Sequence, residues 1–493
     1  MRKARILAAL TLFGVVASVG LSGCGGSGSA GVLRLPLMGT FEPDPARAAA
    51  GQVWPESLVY AGLFTFDAGM DVLPELAVGL PEISPNGRTY DFTVRDDARF
   101  DDGRPVTAAD VAYSFARALS RSEHSSAAWY ALGNIQGAGL VRQGLATSLR
   151  GVRVLGARTI QVKLSRPDRD FLADLALPAA SVLERSVVKH GAQWWTAGGS
   201  AAPFRIERLG SPIVLRPNPH YDQGAVQVRA LDLEPISSTS QGLALYRKHK
   251  VDATPIPNSG FGNNSQSDGF VSTDVARAYY IVVRPGVQKT VRMTLAHTLD
   301  RSAFATSSSQ IDPLYSVVPS NALVPLYAPA ADPLSFVPEP IRGRPPAGSR
   351  IVVTASQPLR SSPVYRWLLK SWSGLRISQP AGASVGAVRL VQLGAVVPDP
   401  ETWLRSAARA AGAESPAFDN LLKTAGDVAV SKGLAAEWAA DNTAESMLLD
   451  QALVIPIGIQ KQGYLVSQRV QGLSASPYGF DPTNENWASV SVG

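Results

Sequence analysis

The stretch Ser84-Pro85-Asn86-Gly87-Arg88-Thr89-Tyr90-Asp91-Phe92-Thr93-Val94-Arg95, followed by Arg99-Phe100-Asp101-Asp102-Gly103-Arg104-Pro105-Val106-Thr107-Ala108-Ala109-Asp110-Val111-Ala112-Tyr113-Ser114-Phe115, sets a strand pair directly before a helix. Asn86-Gly87 tolerates positive φ and turns the chain, after which Tyr90, Phe92 and Val94 alternate with polar residues as one face of a strand. Asp101 to Pro105 makes a second turn. Thr107 with Asp110 forms a helix-capping pair, and Val111, Phe115, Ala118 and Leu119 fall on one helical face. Sheet comes first here, and the helix follows the hairpin directly.

On the N-terminal side, Val32 to Leu37 alternates like a short strand, and Leu58 to Phe66 is an apolar run closed by Asp67-Ala68-Gly69. On the C-terminal side, strands are predicted over 152–155 and 159–164 and a helix over 170–177. Short strands follow at 204–206, 213–216 and 231–234, and 258–268 reads as a polar loop. Tyr279 to Val283 is a compact strand, with a helical pattern from Lys289. Pro313 to Ser349 is rich in Pro, Ala and Ser and too long for a buried connection, so it is expected to wrap a surface. Strands at 350–354, 387–393 and 452–459 then alternate with helices at 364–372, 418–425 and 434–449. This second half differs in texture from the strand-rich part before it.

At about 150 residues per domain, 493 residues allow roughly three domains. With 45% hydrophobic and 17% charged residues, disorder throughout is excluded. Arg2, Lys3 and Arg5 supply half of the +6 net charge, and no basic run with interleaved aromatics follows, so a nucleic-acid partner is not expected. Met1 to Arg5 is basic, Ile6 to Leu21 is apolar, and Leu21-Ser22-Gly23-Cys24 resembles the bacterial lipoprotein box. That likeness implies a signal peptide over 1–23, a lipid on Cys24 and a Gly/Ser tether over 24–31. The body is then expected at the extracytoplasmic face of a bacterial membrane, held by acyl chains such as palmitate.

Leu73-Pro74-Glu75-Leu76-Ala77, the two stretches quoted first, Asn218-Pro219-His220-Tyr221, Leu299-Asp300-Arg301, Ser415-Pro416-Ala417-Phe418-Asp419 and Val454-Ile455-Pro456-Ile457 occur in an order that resembles the family 5 extracellular solute-binding proteins, the peptide- and nickel-type receptors of ABC importers. The resemblance implies a two-lobe periplasmic-binding-protein type II fold of the α/β class with an extra inserted domain, the cluster C type. Mapped on this chain, lobe I takes 32–58, 178–278 and 466–493, the inserted domain 59–177, and lobe II 279–465. It also implies a peptide or peptide-like ligand captured between the lobes by hinge closure, ABC permease subunits as partners, and a monomer without cofactor.

Two departures concern the ligand. Ser200-Ala201-Ala202-Pro203-Phe204 stands where the family carries Gly-Thr-Gly-Pro-Tyr, and Val396 stands where peptide receptors keep an aspartate for the ligand's amino terminus. Candidate ligand-binding residues are therefore Trp54, one of Tyr279 and Tyr280, Val396, Asp399 and Trp403, with a core position the competing reading for each aromatic. The five histidines are scattered and the one cysteine is placed in the lipid box, so no metal site is expected. Gly382-Ala383-Ser384-Val385-Gly386 matches a hydrolase nucleophile pattern but lacks the preceding strand, so catalysis is not expected. A second reading stays open in the sequence, a cell-envelope lipoprotein that uses the same fold as a regulatory or partner-binding module.

Overall fold

The computed structural model describes residues 31–49, 53–67, 71–189, 191, 193–302, 304, 310–319, 350–372, 376–378, 387–394, 400–432, 434–476, 479–482 and 486–493. One sheet has the strand order Val32–Met38, Ala230–Ile236, Ile213–Pro217, Phe204–Arg208, with the first pair parallel and the others antiparallel. Its apolar face, with Leu33, Leu35, Leu215, Leu231 and Leu233, packs with C-terminal residues that include Val470, Phe480, Trp487 and Val490. Both ends of the described chain thus share one core. Asp252 fastens them: it accepts hydrogen bonds from Arg34 N (2.8 Å) and Arg469 Nε (2.7 Å), while Arg469 also donates to Val32 O.

The chain leaves this core for a second one between Tyr60 and Ala61 and returns between Val182 and Leu183, with Ala46, Val53, Ala201 and Ala202 also packed in that second core. The excursion forms an antiparallel sheet in the order Glu82–Ile83, Thr89–Thr93, Thr159–Lys163, Val152–Val154. Gly87 takes φ 60° in the hairpin turn, and its N–H donates to Ser84 O at 2.8 Å. Helix Ala108–Ala118 starts as expected: Thr107 Oγ1 accepts from Asp110 N at 3.3 Å and Asp110 Oδ2 accepts from Thr107 N at 3.0 Å. Val111, Phe115 and Ala118 are buried in the same core as Tyr90 and Phe92. Each large apolar side chain contributes about 1.5–3 kcal/mol against about 1 for the cap, so the buried face dominates.

The Asp101-Asp102-Gly103 turn clasps the first unit. Asp101 N donates to Ser200 O at 2.8 Å and its Oδ1 accepts from Gly199 N at 2.9 Å. A Cβ on Gly198, which has φ 109°, would lie 2.8 Å from that carboxylate. Ser200 Oγ donates to Val59 O, so the altered 200–204 segment is anchored through a side chain. Ion pairs Arg95–Asp222, Arg104–Glu184 and Arg117–Asp44 add further ties.

A larger sheet runs Ala253–Pro255, Val454–Val466, Phe270–Val283, Val388–Gly394, Arg350–Ala355, Arg376–Ser378, with Ile311–Pro313 also paired to Val454–Val466. Alternation sorts its side chains onto two faces. Tyr279, Ile281 and Val283 join Val291, Leu295, Val364 and Leu368 of the helices Lys289–His297 and Pro363–Ser371. Ala278, Tyr280 and Val282 join Trp403, Leu404, Phe418 and Leu448 of Pro400–Ala411, Pro416–Lys432 and Leu434–Leu449.

Two of these strands are far longer than the sequence suggests. Phe270–Val283 has 14 residues and Val454–Val466 has 13. Their inner ends sit in the lobe II cores, whereas Val271, Tyr464 and Val466 pack into the core of the first sheet. They are two antiparallel crossovers, with register shifts between Asp274 and Ala278 and between Tyr279 and Tyr280. The stretch read as a loop from Asn258 contains instead the turns Asn258–Gly260 and Phe261–Asn264, because Phe261 is buried beneath them. The helix expected over 170–177 is the single turn Phe171–Asp174, since Pro178 begins the next turn.

Candidate functional site

The described residues between Glu42 and Tyr60 form only the short turns Pro45–Arg47 and Glu56–Leu58 and are held by polar contacts. Glu56 Oε1 accepts from Glu42 N at 2.9 Å, and Tyr60 OH donates to Pro43 O at 2.6 Å. Trp54, joined to Pro55 by a cis peptide bond, packs edge-on to Phe480 with ring centroids 6.0 Å apart. A Cβ on Gly479 would lie 2.7 Å from the Trp54 ring, so only glycine lets the two segments approach. The Trp54 Nε1 donor is buried without an acceptor.

Trp54 borders a cavity of about 70 Å³ between the first sheet's lobe and the inserted unit. Phe66, Asp67 and Glu75 enter it from the inserted unit; Tyr221 and Trp487 enter from the lobe. Phe66 is set by the pairing of Phe64–Phe66 with Val72–Pro74. Glu75 follows that pair: its N–H donates to Leu63 O at 3.0 Å and its Oε2 accepts from Gly62 N at 3.2 Å. Tyr221 is placed by Asn218, whose Nδ2 donates to Ala202 O (3.0 Å) and whose Oδ1 accepts from His220 N (2.8 Å). Trp487 stands edge-on to Phe204, with centroids 5.3 Å apart.

Burial raises the Glu75 carboxyl to about 8; Asp222 adds to the rise, while the Gly62 N–H and, more weakly, Arg95 oppose it. Burial likewise pushes the Tyr221 phenol up, reinforced by Glu75 and Asp222. Arg95, the nearby cation, is already engaged by Asp222 and by Asp97, the latter at 3.1 Å.

Of the residues singled out in the sequence, Trp54 lines this cavity. Tyr279 is 8% exposed, its ring in a lobe II core and its OH donating to Gln460 Oε1 at 3.3 Å. Tyr280 is fully buried, donates to Val317 O at 2.6 Å and lies 6.2 Å from Trp403, itself 1% exposed. Tyr280 and Trp403 are thus together, but in the core. Val396, Asp399, Cys24 and the Gly382 to Gly386 motif lie outside the described residues. Among the described residues no His, Cys, Asp and Glu group could hold a metal, and no helix is long and apolar enough to cross a membrane.

Glu75 and Tyr221 belong to motifs that read as scaffold, and Phe66 and Trp487 carried no signal of their own. The signal that could have found one of them is Glu75 itself, an acid directly before the apolar pair Leu76-Ala77.

A second polar contact joins the inserted unit to lobe II. Arg169 Nη1 donates to Asp441 Oδ2 at 3.0 Å and Nη2 lies 3.8 Å from Glu401 Oε2. One turn from Asp441, burial raises Glu445 to about 7, against the hydrogen bonds it accepts from Val317 N and Val318 N.

The sequence profile of bacterial extracellular solute-binding proteins, family 5 Middle, matches residues 71–337. The periplasmic murein peptide-binding protein MppA of Escherichia coli is 28% identical over 274 residues, covering 52% of this chain and 50% of that protein. A dipeptide-binding protein of Lactococcus lactis is 28% identical over 237 residues, covering 45% and 42%. The chain thus spans about half the length of the curated relatives it matches. Among solved structures, MppA in its unliganded open form superposes with a TM-score of 0.77 at 20% identity, covering 94% of this chain and 98% of that one. HbpA2 of Haemophilus parasuis gives 0.72 at 18%, covering 94% and 100%.

Proposed function

The chain belongs to the family 5 bacterial extracellular solute-binding proteins, and from that membership we propose that it is the lipid-anchored substrate receptor of an ABC importer for a peptide or peptide-like solute. The observation that carries the reading is the pair of long antiparallel strands, each running from the core of one lobe into the core of the other. Two covalent crossovers with interrupted register supply a hinge, and a ligand shifts a hinge equilibrium through contacts available only when the lobes close on it. The relatives named above for murein peptide and dipeptide support a peptide-like solute, and the lipoprotein-type leader supports anchoring at Cys24.

No covalent step is required of such a receptor. Binding, closure and presentation to permease subunits suffice, and these need a preformed cleft rather than an activated nucleophile. The test is to purify the protein from its native host under mild conditions and identify the co-purifying compound by mass spectrometry. A peptide or amide-containing solute is the expected result; a compound without amide character would overturn the substrate class.

A further inference from the structure

The cavity beside Trp54 has a one-sided chemistry. Four aromatic rings, Trp54, Phe66, Tyr221 and Trp487, and two carboxylates, Asp67 and Glu75, face it, and among the described residues no lysine, arginine or histidine lines it. Aromatic faces carry negative potential and attract cations, more strongly where water is excluded. The two acids differ in how far they are already used. Asp67 Oδ1 accepts from Asp71 N at 2.7 Å within its own turn. Glu75 has a hydrogen bond at Oε2 only, from Gly62 N–H. Arg95, the cation that could neutralise it, is held by Asp222 and Asp97. A half-buried carboxylate short of a counter-charge is costly, and an entering cation relieves that cost.

We propose that this cavity receives a primary ammonium group of the ligand on an alkyl stem, with Glu75 as its counter-ion and the four rings as its walls. The cavity's 70 Å³ gives room for about five water-sized groups, the size of a lysine side chain beyond its Cα. The inference rests on the receptor reading for the source of the amine, a lysine side chain or an amino terminus of a peptide-like solute. Because burial holds the empty carboxyl near 8, ammonium entry displaces its proton, and affinity rises with pH from 6 to 8. The charged and titratable groups facing Glu75 are Asp67, Tyr221, Asp222 and Arg95.

The cavity is tested apart from the peptide reading by titrating the purified protein with n-butylammonium chloride at constant ionic strength, with 1-butanol as the neutral isostere. The readout is tryptophan fluorescence, assigned to the cavity with Trp54→Phe and Trp487→Phe. The proposal requires saturable binding at least tenfold tighter for butylammonium than for butanol, several-fold tighter at pH 8 than at pH 6, with Glu75→Gln abolishing the preference while the fold is retained by circular dichroism. Equal response to the two probes, or an unchanged preference in Glu75→Gln, overturns it. Two tripeptide amides then separate the amine sources, acetyl-Ala-Lys-Ala-amide with only a side-chain amine against Ala-norleucine-Ala-amide with only an amino terminus. If butylammonium binds as described and neither tripeptide does, the cavity assignment stands and the peptide reading fails.

Discussion

Glu75→Gln also tests the electrostatics of the cavity through stability. The carboxyl borders the cavity, and it rises from an ordinary 4.5 to about 8, chiefly through desolvation. A carboxyl raised on folding contributes its stability fully below the unfolded value and loses it as pH climbs through the folded one. Between those limits the folded state holds one more proton than the unfolded state, so stability falls by about 1.4 kcal/mol per pH unit on this account. Carried across the whole interval the loss is on the order of 3–5 kcal/mol. Glutamine keeps the shape and the hydrogen bond from Gly62 N–H but cannot ionise, so its curve lacks this slope. A chain of several units does not unfold as two states, so the quantity to follow is the melting temperature by calorimetry from pH 5 to 8. At roughly 2–4 °C per kcal/mol for a unit of this size, the variant should gain about 3–5 °C on the native protein for each pH unit between 5.5 and 7.5. Glu56, raised by burial to about 8, and Glu445, raised to about 7, keep a slope in both proteins, so the difference between the curves is the measurement. Parallel curves would mean that Glu75 is ionised and compensated in the folded protein, and the reasoning would fail.

Arg169→Ala removes the cation paired with the 2% exposed Asp441 and should cost about 3–5 kcal/mol, read as faster hydrogen exchange in Leu434–Leu449 with the Val32–Met38 strand unchanged. Asp110→Ala removes half of the capping box and should lower the melting temperature of the inserted unit by a few degrees, about 1 kcal/mol, without altering ligand affinity; an affinity loss would place Asp110 in the site. Cys24→Ala should release the protein from the membrane fraction or leave it unprocessed; a variant cleaved after Gly23 and still membrane-bound would refute lipid attachment.

The hairpin-helix motif was legible in the sequence because each signal there is local. Asn86-Gly87 needs only its own backbone freedom, and Thr107 caps its own helix. The crossovers were not legible beyond their inner ends. Asp274 and Arg277 interrupt the apolar run of Phe270–Val283 where the register shifts, so the alternation that marks a strand is lost in that stretch. Aromatic residue type alone could not separate site from core: Trp54 and Trp403 are the same residue in similar company. What separates them is that Trp403 lies on the inner face of Pro400–Ala411, against Tyr280, whereas Trp54 sits on an irregular segment at a junction of two units. The cavity itself is assembled from segments spread from Val53 to Trp487, and no local pattern encodes such a meeting.

The receptor assignment is tested most directly by isothermal titration calorimetry of the purified protein against a degenerate tripeptide library, followed by the best single sequence. The account predicts one-to-one binding, micromolar or tighter, with a negative heat-capacity change from the surface buried as the lobes close. A folded protein that takes up no peptide from such a library would contradict it.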